Sequence, residues 1–143
     1  MKEKYKNTGA YFRQLYDALV THLHQRLSEE GYPEITPSHG LVFQYLNEDG
    51  SRITALATQV GITKQSMSAL VYQLEEYGYL KRKGDPDDAR AVLFVLTAKG
   101  ETLKEMAQQF NYQFERKWER ELGTVRYQQF REMIIQLVSS NAS

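Results

Sequence analysis

Residues 52–100 read RITALATQVGITKQSMSALVYQLEEYGYLKRKGDPDDARAVLFVLTAKG, and this stretch decides the fold. It begins with two short amphipathic segments separated by Gly61, a residue that readily adopts the positive φ of a tight turn. Thr54 and Thr63 are the expected N-caps of two helices, because a threonine hydroxyl can accept a hydrogen bond from a free backbone N–H. The pattern therefore predicts a helix-turn-helix.

The second of these helices, expected over residues 63–77, has one apolar and one polar face. Met67, Leu70, Val71 and Leu74 recur at i, i+3, i+4 and i+7. The other face carries small, amide, hydroxyl and cationic side chains, which can hydrogen-bond to base edges in a major groove. An ordinary solvated helix face is the alternative interpretation. The candidate contact residues are Thr63, Lys64, Gln65, Ser66, Ser68, Ala69 and Tyr72.

A β-hairpin is expected directly after this helix, which Gly78 can end. Residues 79–83 and 91–96 are rich in β-branched, aromatic and aliphatic side chains, so they predict two strands. Turn-forming residues fill the segment 84–90 between them and predict a charged loop. A hairpin that follows a helix-turn-helix is a wing, and residues 52–54 are a candidate third strand against it.

The wing ends in a short motif. Residues 88–90 read Asp-Ala-Arg, and residues 96–100 read Leu-Thr-Ala-Lys-Gly. Together they resemble the D-x-R…L-T-x-x-G signature of the MarR family of winged helix-turn-helix transcriptional regulators. The resemblance is continuous over residues 53–100, and outside that range it extends only to length and helical character. It implies a homodimer that binds an inverted-repeat operator in double-stranded DNA, most often as a repressor, and many relatives respond to a small-molecule effector.

The wing supplies the second set of candidate DNA contacts. Its three consecutive cations, at positions 81–83, can bind phosphate or can keep an exposed strand edge from pairing. Asp88 is expected to hold the Arg90 guanidinium by a charge-assisted hydrogen bond. The arginine would then enter a narrow minor groove, which is the part that the resemblance implies; alternatively, Arg90 only pins the loop to Asp88. The candidate wing contacts are Lys81, Arg82, Lys83, Asp88 and Arg90.

Helices are expected on both sides of this lobe. Apolar residues repeat at helical spacing from about residue 5 to residue 30, and two further stripes follow Gly100 and Gly123. Thr36 followed by Pro37 is typical of a helix start. The predicted fold is therefore mainly α, of the α+β kind: a winged helix-turn-helix with a small β-hairpin wing, flanked by N- and C-terminal helices.

The terminal stripes are wider than one protomer can cover, so they are expected to pack against a second copy by two-fold symmetry. Padding of a monomer is the alternative. We expect one MarR-type domain over residues 1–143, with a DNA-binding lobe at 35–100 and dimerisation helices at 1–32 and 101–140.

The composition excludes several classes of protein. With 143 residues the chain has the size of one domain, and the absence of cysteine excludes disulfides, thiolate metal sites and cysteine redox sensing. There is no apolar run of about 20 residues and no signal-peptide core, so we expect a cytoplasmic protein without membrane contact. The net charge is zero, but residues 51–100 carry seven cations against five anions, a mild bias toward nucleic acid.

No enzyme motif is found: the chain lacks a Gly-rich phosphate loop and a Ser–His or Cys–His constellation. We expect no catalysis and no cofactor. The alternatives to a DNA-binding regulator are a winged-helix module that binds only proteins and a metal-responsive regulator. For the latter, His22 and His24 are two apart on a helix and point to different faces, so His39 would have to join one of them; we expect no metal site.

Four aromatic residues are candidates for an effector pocket. The resemblance implies that many relatives bind small, often aromatic or anionic molecules between the dimerisation helices and the DNA-binding lobe. Such side chains are more often part of a core. The four candidates are Tyr11, Phe12, Tyr16 and Tyr45.

Overall fold

In the computed structural model, which describes residues 4–142, the chain forms six α-helices and one two-stranded antiparallel sheet. This confirms the predicted class, mainly helical with a β-hairpin. Residues 1–3 and 143, which the predicted ranges 1–32 and 1–143 include, lie outside the described part. In chain order the elements are α1 (Thr8–Glu29), α2 (Pro37–Tyr45), α3 (Ile53–Val60), α4 (Lys64–Glu76), β1 (Leu80–Asp85), β2 (Asp88–Leu96), α5 (Ala98–Leu122) and α6 (Thr124–Asn141).

Two compact units are distinguished by the contacts within the chain. The winged-helix unit comprises residues 23–108, and the terminal-helix unit comprises the described residues up to 22 and from 109 onward.

The helix-turn-helix of α3 and α4 forms as the sequence predicts. Gly61 takes a φ of 83° after α3, and its N–H donates to the Ala57 carbonyl oxygen at 2.9 Å. Thr63 caps α4, since its hydroxyl oxygen accepts a hydrogen bond from the Ser66 N–H at 3.0 Å. The predicted apolar stripe of α4 faces the core: Met67, Val71 and Leu74 are fully buried. The stripe thereby directs the other face of α4 outward.

The start of α3 differs from the prediction. Ser51 forms an antiparallel bridge with Phe94, with backbone hydrogen bonds of 3.0 and 2.9 Å in the two directions. The pairing against the wing therefore involves Ser51 alone rather than residues 52–54. Arg52 is the N-cap, without a side-chain capping bond, and Thr54 lies inside the first turn. The prediction of Thr54 as a cap was wrong because the bridge ends the extended chain at Ser51.

The wing is a longer hairpin with a shorter tip than predicted. Its strands run to Asp85 and from Asp88, which pair with each other, so only residues 86 and 87 form the turn. Asp85 Oδ1 accepts a hydrogen bond from the Asp87 N–H at 2.9 Å, which closes the tip. The predicted loop over 84–90 is therefore mostly strand.

The second half of the signature joins the start of α5 to the segment between α4 and β1. The Thr97 hydroxyl donates to the Gly78 carbonyl oxygen at 2.5 Å and accepts from the Gly100 N–H at 3.1 Å. The Thr97 N–H donates to the Tyr79 carbonyl oxygen at 3.0 Å. A Cβ at Gly100 would lie 2.2 Å from that same carbonyl oxygen, so only glycine fits there. The motif thus fixes the start of α5 against the chain between α4 and β1.

The terminal-helix unit buries far fewer of its apolar residues. Phe110, Phe114 and Tyr127 are buried, and the Tyr127 hydroxyl donates to Glu115 Oε1 at 2.9 Å. The helix α6 continues to Asn141. Among residues 4–142, no helix combines the length and the apolar character that a membrane span requires. Large apolar side chains that remain exposed on α6 are Val125, Met133, Ile135, Leu137 and Val138.

Candidate nucleic-acid interface

The outward face of α4 presents the predicted contact residues. All are exposed except Ser68, which is half-buried. Two of them also build the start of the helix, because the Thr63 hydroxyl donates to Ser66 Oγ at 2.9 Å. Lys64 and Gln65 follow at the N-terminus, where free N–H groups and the helix dipole favour an anion such as phosphate. Tyr72, two turns further along, is 47% exposed. The face therefore offers hydrogen-bonding groups at one end and an aromatic ring at the other.

The three cations of β1 fall into two kinds. Successive side chains of a strand point to opposite faces, so Lys81 and Lys83 share one face and Arg82 lies on the other. Lys81 and Lys83 are exposed. Arg82 donates two hydrogen bonds to the Glu75 carboxylate, from Nε at 2.8 Å and from Nη2 at 3.2 Å. From the sequence, all three cations are candidate DNA contacts of the same kind. In the structure, Arg82 is paired with Glu75, whereas Lys81 and Lys83 point into solvent.

Asp88 does not hold the Arg90 side chain. Its Oδ1 accepts a hydrogen bond from the Arg90 backbone N–H at 3.0 Å, and its Oδ2 lies 3.7 Å from Arg52 Nη2. Arg52 donates more directly to Asp85 Oδ2, at 2.6 Å. The predicted guanidinium contact was wrong because the partner of the wing carboxylates comes from the start of α3, which spacing within the wing cannot reveal.

Arg52 and Asp85 form the base of the wing tip. The hydrogen bond from the Asp87 N–H and then that from Arg52 lower the pKa of Asp85 below its ordinary value. The same Asp85 contact raises the pKa of Arg52. Two of the three wing carboxylates thus face a cation of their own chain. Among the described residues, no hydrogen bond or ion pair engages the exposed Arg90 guanidinium.

A cleft of about 280 Å³ lies between α3, α4 and the wing. Its polar side chains include three cations, but Arg52 and Arg82 are each paired with a carboxylate, so Lys64 supplies most of its uncompensated positive charge. Sequence reasoning missed Arg52 and Glu75, since neither stands in a motif. The lining residues are Arg52, Ile53, Thr54, Lys64, Tyr72, Arg82, Ala91, Val92 and Phe94.

The candidate effector residues are exposed in the protomer. Tyr11, Phe12 and Tyr16 lie on α1 in the terminal-helix unit and are 45–53% exposed. Tyr45 ends α2 in the winged-helix unit and is 38% exposed. None of the four belongs to the buried core of its unit.

The histidines of the winged-helix unit form hydrogen bonds with other residues of the chain. His24 Nδ1 lies 3.1 Å from the Ile35 carbonyl oxygen. The buried His39 accepts from the Thr36 N–H at Nδ1, at 3.0 Å, and its Nε2 lies 2.9 Å from Gln73 Oε1. Within residues 4–142, no three histidine, aspartate or glutamate side chains lie together as metal ligands.

Part of the chain matches known proteins in sequence. A model of the MarR family matches residues 34–91, which contain α2, α3, α4 and β1. Over 63 residues the chain is 40% identical to the uncharacterised HTH-type transcriptional regulator YcgE of Bacillus subtilis (strain 168). That alignment covers 43% of this chain and 41% of YcgE, so the chain spans about two fifths of the length of this relative.

The fold of nearly the whole chain matches solved structures. The crystal structure of MarR is similar with a TM-score of 0.83 at 18% identity, over 99% of this chain and 95% of that one. The S. aureus MepR–DNA complex is similar with a TM-score of 0.72 at 22% identity, over 95% of this chain and 99% of that one. At such identities the likeness is one of fold. Residues 34–91 are thus similar in sequence to the MarR family, and nearly the whole chain shares the fold of these two structures.

Proposed function

We propose that this protein is a transcriptional regulator that binds double-stranded DNA in a sequence-specific manner. The observation that carries the proposal is the outward face of α4, which presents Lys64, Gln65 and Tyr72 beside a wing with Lys81, Lys83 and Arg90 exposed. A helix with such side chains suits the major groove, and a cationic hairpin suits the flanking backbone and minor groove. MepR, which has this fold, has been solved in complex with DNA.

The protein acts in this proposal as a homodimer. The exposed apolar side chains of α6 supply a surface that a second copy can cover. Two-fold symmetry then presents two recognition helices about 34 Å apart, so the operator is an inverted repeat with half-sites about 10 bp apart.

Repression is the mode of regulation that the family resemblance supports, with release by a small-molecule effector. Tyr11, Phe12, Tyr16 and Tyr45 are the candidate effector contacts, because their rings are exposed in the protomer. The chain has no cysteine, so release does not run through thiol oxidation. Peroxide at doses that spare methionine is expected to leave operator binding unchanged.

The experiment is a footprint on the promoters that flank the gene, followed by affinity measurements on the protected site at several salt concentrations. Arg90→Ala is expected to weaken operator binding by about 1–3 kcal/mol and to lower the salt slope by about one unit. Arg120→Ala, which removes an exposed arginine of α5, is the matched control and is expected to change neither.

Two results would contradict the proposal at different levels. Absence of any protected site, with retention on duplex DNA no greater than on an anionic resin, would favour a winged-helix module that binds only proteins. Unchanged affinity and salt slope in Arg90→Ala would remove the wing from the DNA interface while leaving α4 in it.

A further inference from the structure

Arg82 lies at the centre of a cluster that joins the wing to the recognition helix. Its guanidinium carbon is 5.5 Å from the ring centroid of Tyr72 and 5.5 Å from that of Phe94. The two rings are themselves 6.3 Å apart. Together with the two hydrogen bonds to Glu75, these contacts engage both the edge and the face of the guanidinium.

The cluster forms because helix geometry places two of its residues on one side of α4 and strand pairing brings the other two together. Tyr72 and Glu75 are three residues apart on α4, so they lie on the same side of the helix. Arg82 and Phe94 are directly paired across the hairpin. Phe94 is buried, whereas Tyr72 is 47% exposed and belongs to the face of α4 that the proposed function assigns to DNA. Arg82 therefore touches an outward-facing residue of α4 from the wing side.

We propose that Arg82 is a positioning residue for DNA recognition: it acts through Tyr72 and does not itself contact a phosphate. This inference rests on the proposed function. Two of the N–H donors of Arg82, on Nε and Nη2, already bond to Glu75 and orient the guanidinium toward that carboxylate, and the pairing raises the pKa of Arg82. Binding a phosphate through the same donors would leave Glu75 unpaired beside DNA, where its charge would be repelled.

The chemistry of arginine is specific to this arrangement. A planar guanidinium can donate two parallel hydrogen bonds to a carboxylate while its face stacks on an aromatic ring. The ammonium of lysine keeps the charge but forms neither the fork nor the stack. Arg82→Lys is consequently the variant that separates positioning from charge.

The first test measures operator affinity and its salt dependence for Arg82→Lys and Arg82→Gln. Both are expected to weaken binding about tenfold while the slope of log affinity against log salt stays at the wild-type value. The neighbouring variants Lys81→Gln and Lys83→Gln are the controls, and a lysine that contacts a phosphate is expected to lower that slope by about 0.9. Recovery of wild-type affinity by Arg82→Lys, with a lowered slope in Arg82→Gln, would overturn the proposal.

The second test asks whether Arg82 acts through Tyr72. Operator affinity is measured for Tyr72→Ala, Arg82→Gln and the double variant. If Arg82 positions the ring, Arg82→Gln is expected to have less than a twofold effect once Tyr72 is alanine. Fully additive losses would show that Arg82 affects DNA by another route.

The third test needs no DNA. In ¹⁵N–¹H spectra of the free protein, the Arg82 Nε–H signal is expected to be visible and shifted by its carboxylate partner, and Glu75→Gln is expected to move it and the Tyr72 ring signals together. A Glu75→Gln protein with both signals unmoved would overturn the cluster as a coupled unit. Failure of the wild-type protein to bind any duplex would instead overturn the proposed function, and with it the role of Arg82 in recognition, while leaving this result intact.

Discussion

The two units of the chain differ in how far they bury their apolar side chains. In the winged-helix unit, Leu56, Met67, Leu74 and Phe94 are all nearly or fully buried. In the terminal-helix unit, Leu137 and Val138 at the end of α6 remain 56% and 65% exposed. The difference shows that the winged-helix unit buries its core within one chain, whereas α6 presents an apolar surface that its own protomer leaves open.

This difference in burial follows from which elements pack against one another. In the winged-helix unit, the short helices α2, α3 and α4 and the wing pack against one another, and Ser51 also pairs with Phe94 of the wing. The terminal-helix unit consists of long helices, and a helix can bury only the stripe that another element covers. Large apolar side chains that no other element covers are typical of an interface.

The largest effect is expected from placing charge on α6. The double variant Leu137→Glu/Val138→Glu puts two carboxylates on the exposed apolar surface, which would have to be desolvated in a dimer. We expect a monomer in sedimentation equilibrium and operator affinity lower by about 100-fold or more, because a monomer binds only one half-site.

The control is Thr124→Glu. This exposed residue begins α6, and its neighbours one turn on, Tyr127 and Gln128, are not among the exposed apolar residues of the helix. It should leave both the assembly and the operator affinity unchanged. A dimer that persists in the double variant would mean that the exposed surface of α6 does not form the interface.

The next effect concerns packing inside the winged-helix unit. Gly100→Ala would place a Cβ 2.2 Å from the Tyr79 carbonyl oxygen, and a backbone atom cannot move aside as a flexible side chain can. We expect the free energy of unfolding to fall by about 1–3 kcal/mol, measured by urea denaturation. Gly84→Ala is the control, because an added Cβ there meets no atom within 4 Å. Equal stabilities of the two variants would show that the start of α5 is loosely packed.

A smaller effect is expected at the start of α4. Thr63→Ala removes the hydroxyl that caps α4, which should lower the free energy of unfolding by about 1 kcal/mol. Thr58→Ala is the matched control, since the Thr58 hydroxyl only donates to the Thr54 carbonyl oxygen inside α3. Alanine there is a better helix former, so thermal unfolding should show no loss. Similar losses in both variants would argue against a specific capping role.

Local signals predicted the framework of the winged-helix unit. Gly61, Thr63 and the stripe of α4 depend on residues within a few positions of one another, so spacing alone located them. The wrong predictions concern charged side chains whose ion-pair partner comes from another element of the fold. Asp88 faces Arg52, which is 36 positions away, and Arg82 faces Glu75 across the turn from helix to strand. No local pattern encodes which carboxylate an arginine will meet.

The candidate site was predictable to the same extent. The polar face of α4 and the basic strand follow from periodicity, and α4 does present its predicted residues outward. The difference between Arg82 and the two lysines of β1 does not follow from periodicity, because it depends on which face of the strand lies against α4. The dimerisation role of the terminal helices and the effector residues stay predictions, since one protomer leaves their surfaces open.

The smallest effect is expected from pH, and it tests how tightly the winged-helix unit closes around His24. This side chain lies in α1, where its Nδ1 is 3.1 Å from the Ile35 carbonyl oxygen. A carbonyl oxygen only accepts, so Nδ1 carries a proton and donates it. Burial lowers the pKa of His24 below its ordinary value of 6.5; the hydrogen bond to Ile35 opposes this shift, and the nearby His39 adds to it.

A lowered pKa means that the folded state favours neutral His24. As the pH falls through about 6.5, the unfolded chain takes up the proton first, so unfolding becomes more favourable. The contribution is therefore fully present above the unfolded pKa and is lost as the pH falls toward the folded pKa. His24→Gln keeps an N–H donor for Ile35 but does not titrate. Measured by urea denaturation between about pH 7.5 and about pH 5.5, wild type should lose more stability than His24→Gln. A difference between the two that stays constant, or that grows in favour of wild type as the pH falls, would mean that solvent reaches His24 freely and that the unit is more open around α1 than its buried residues indicate.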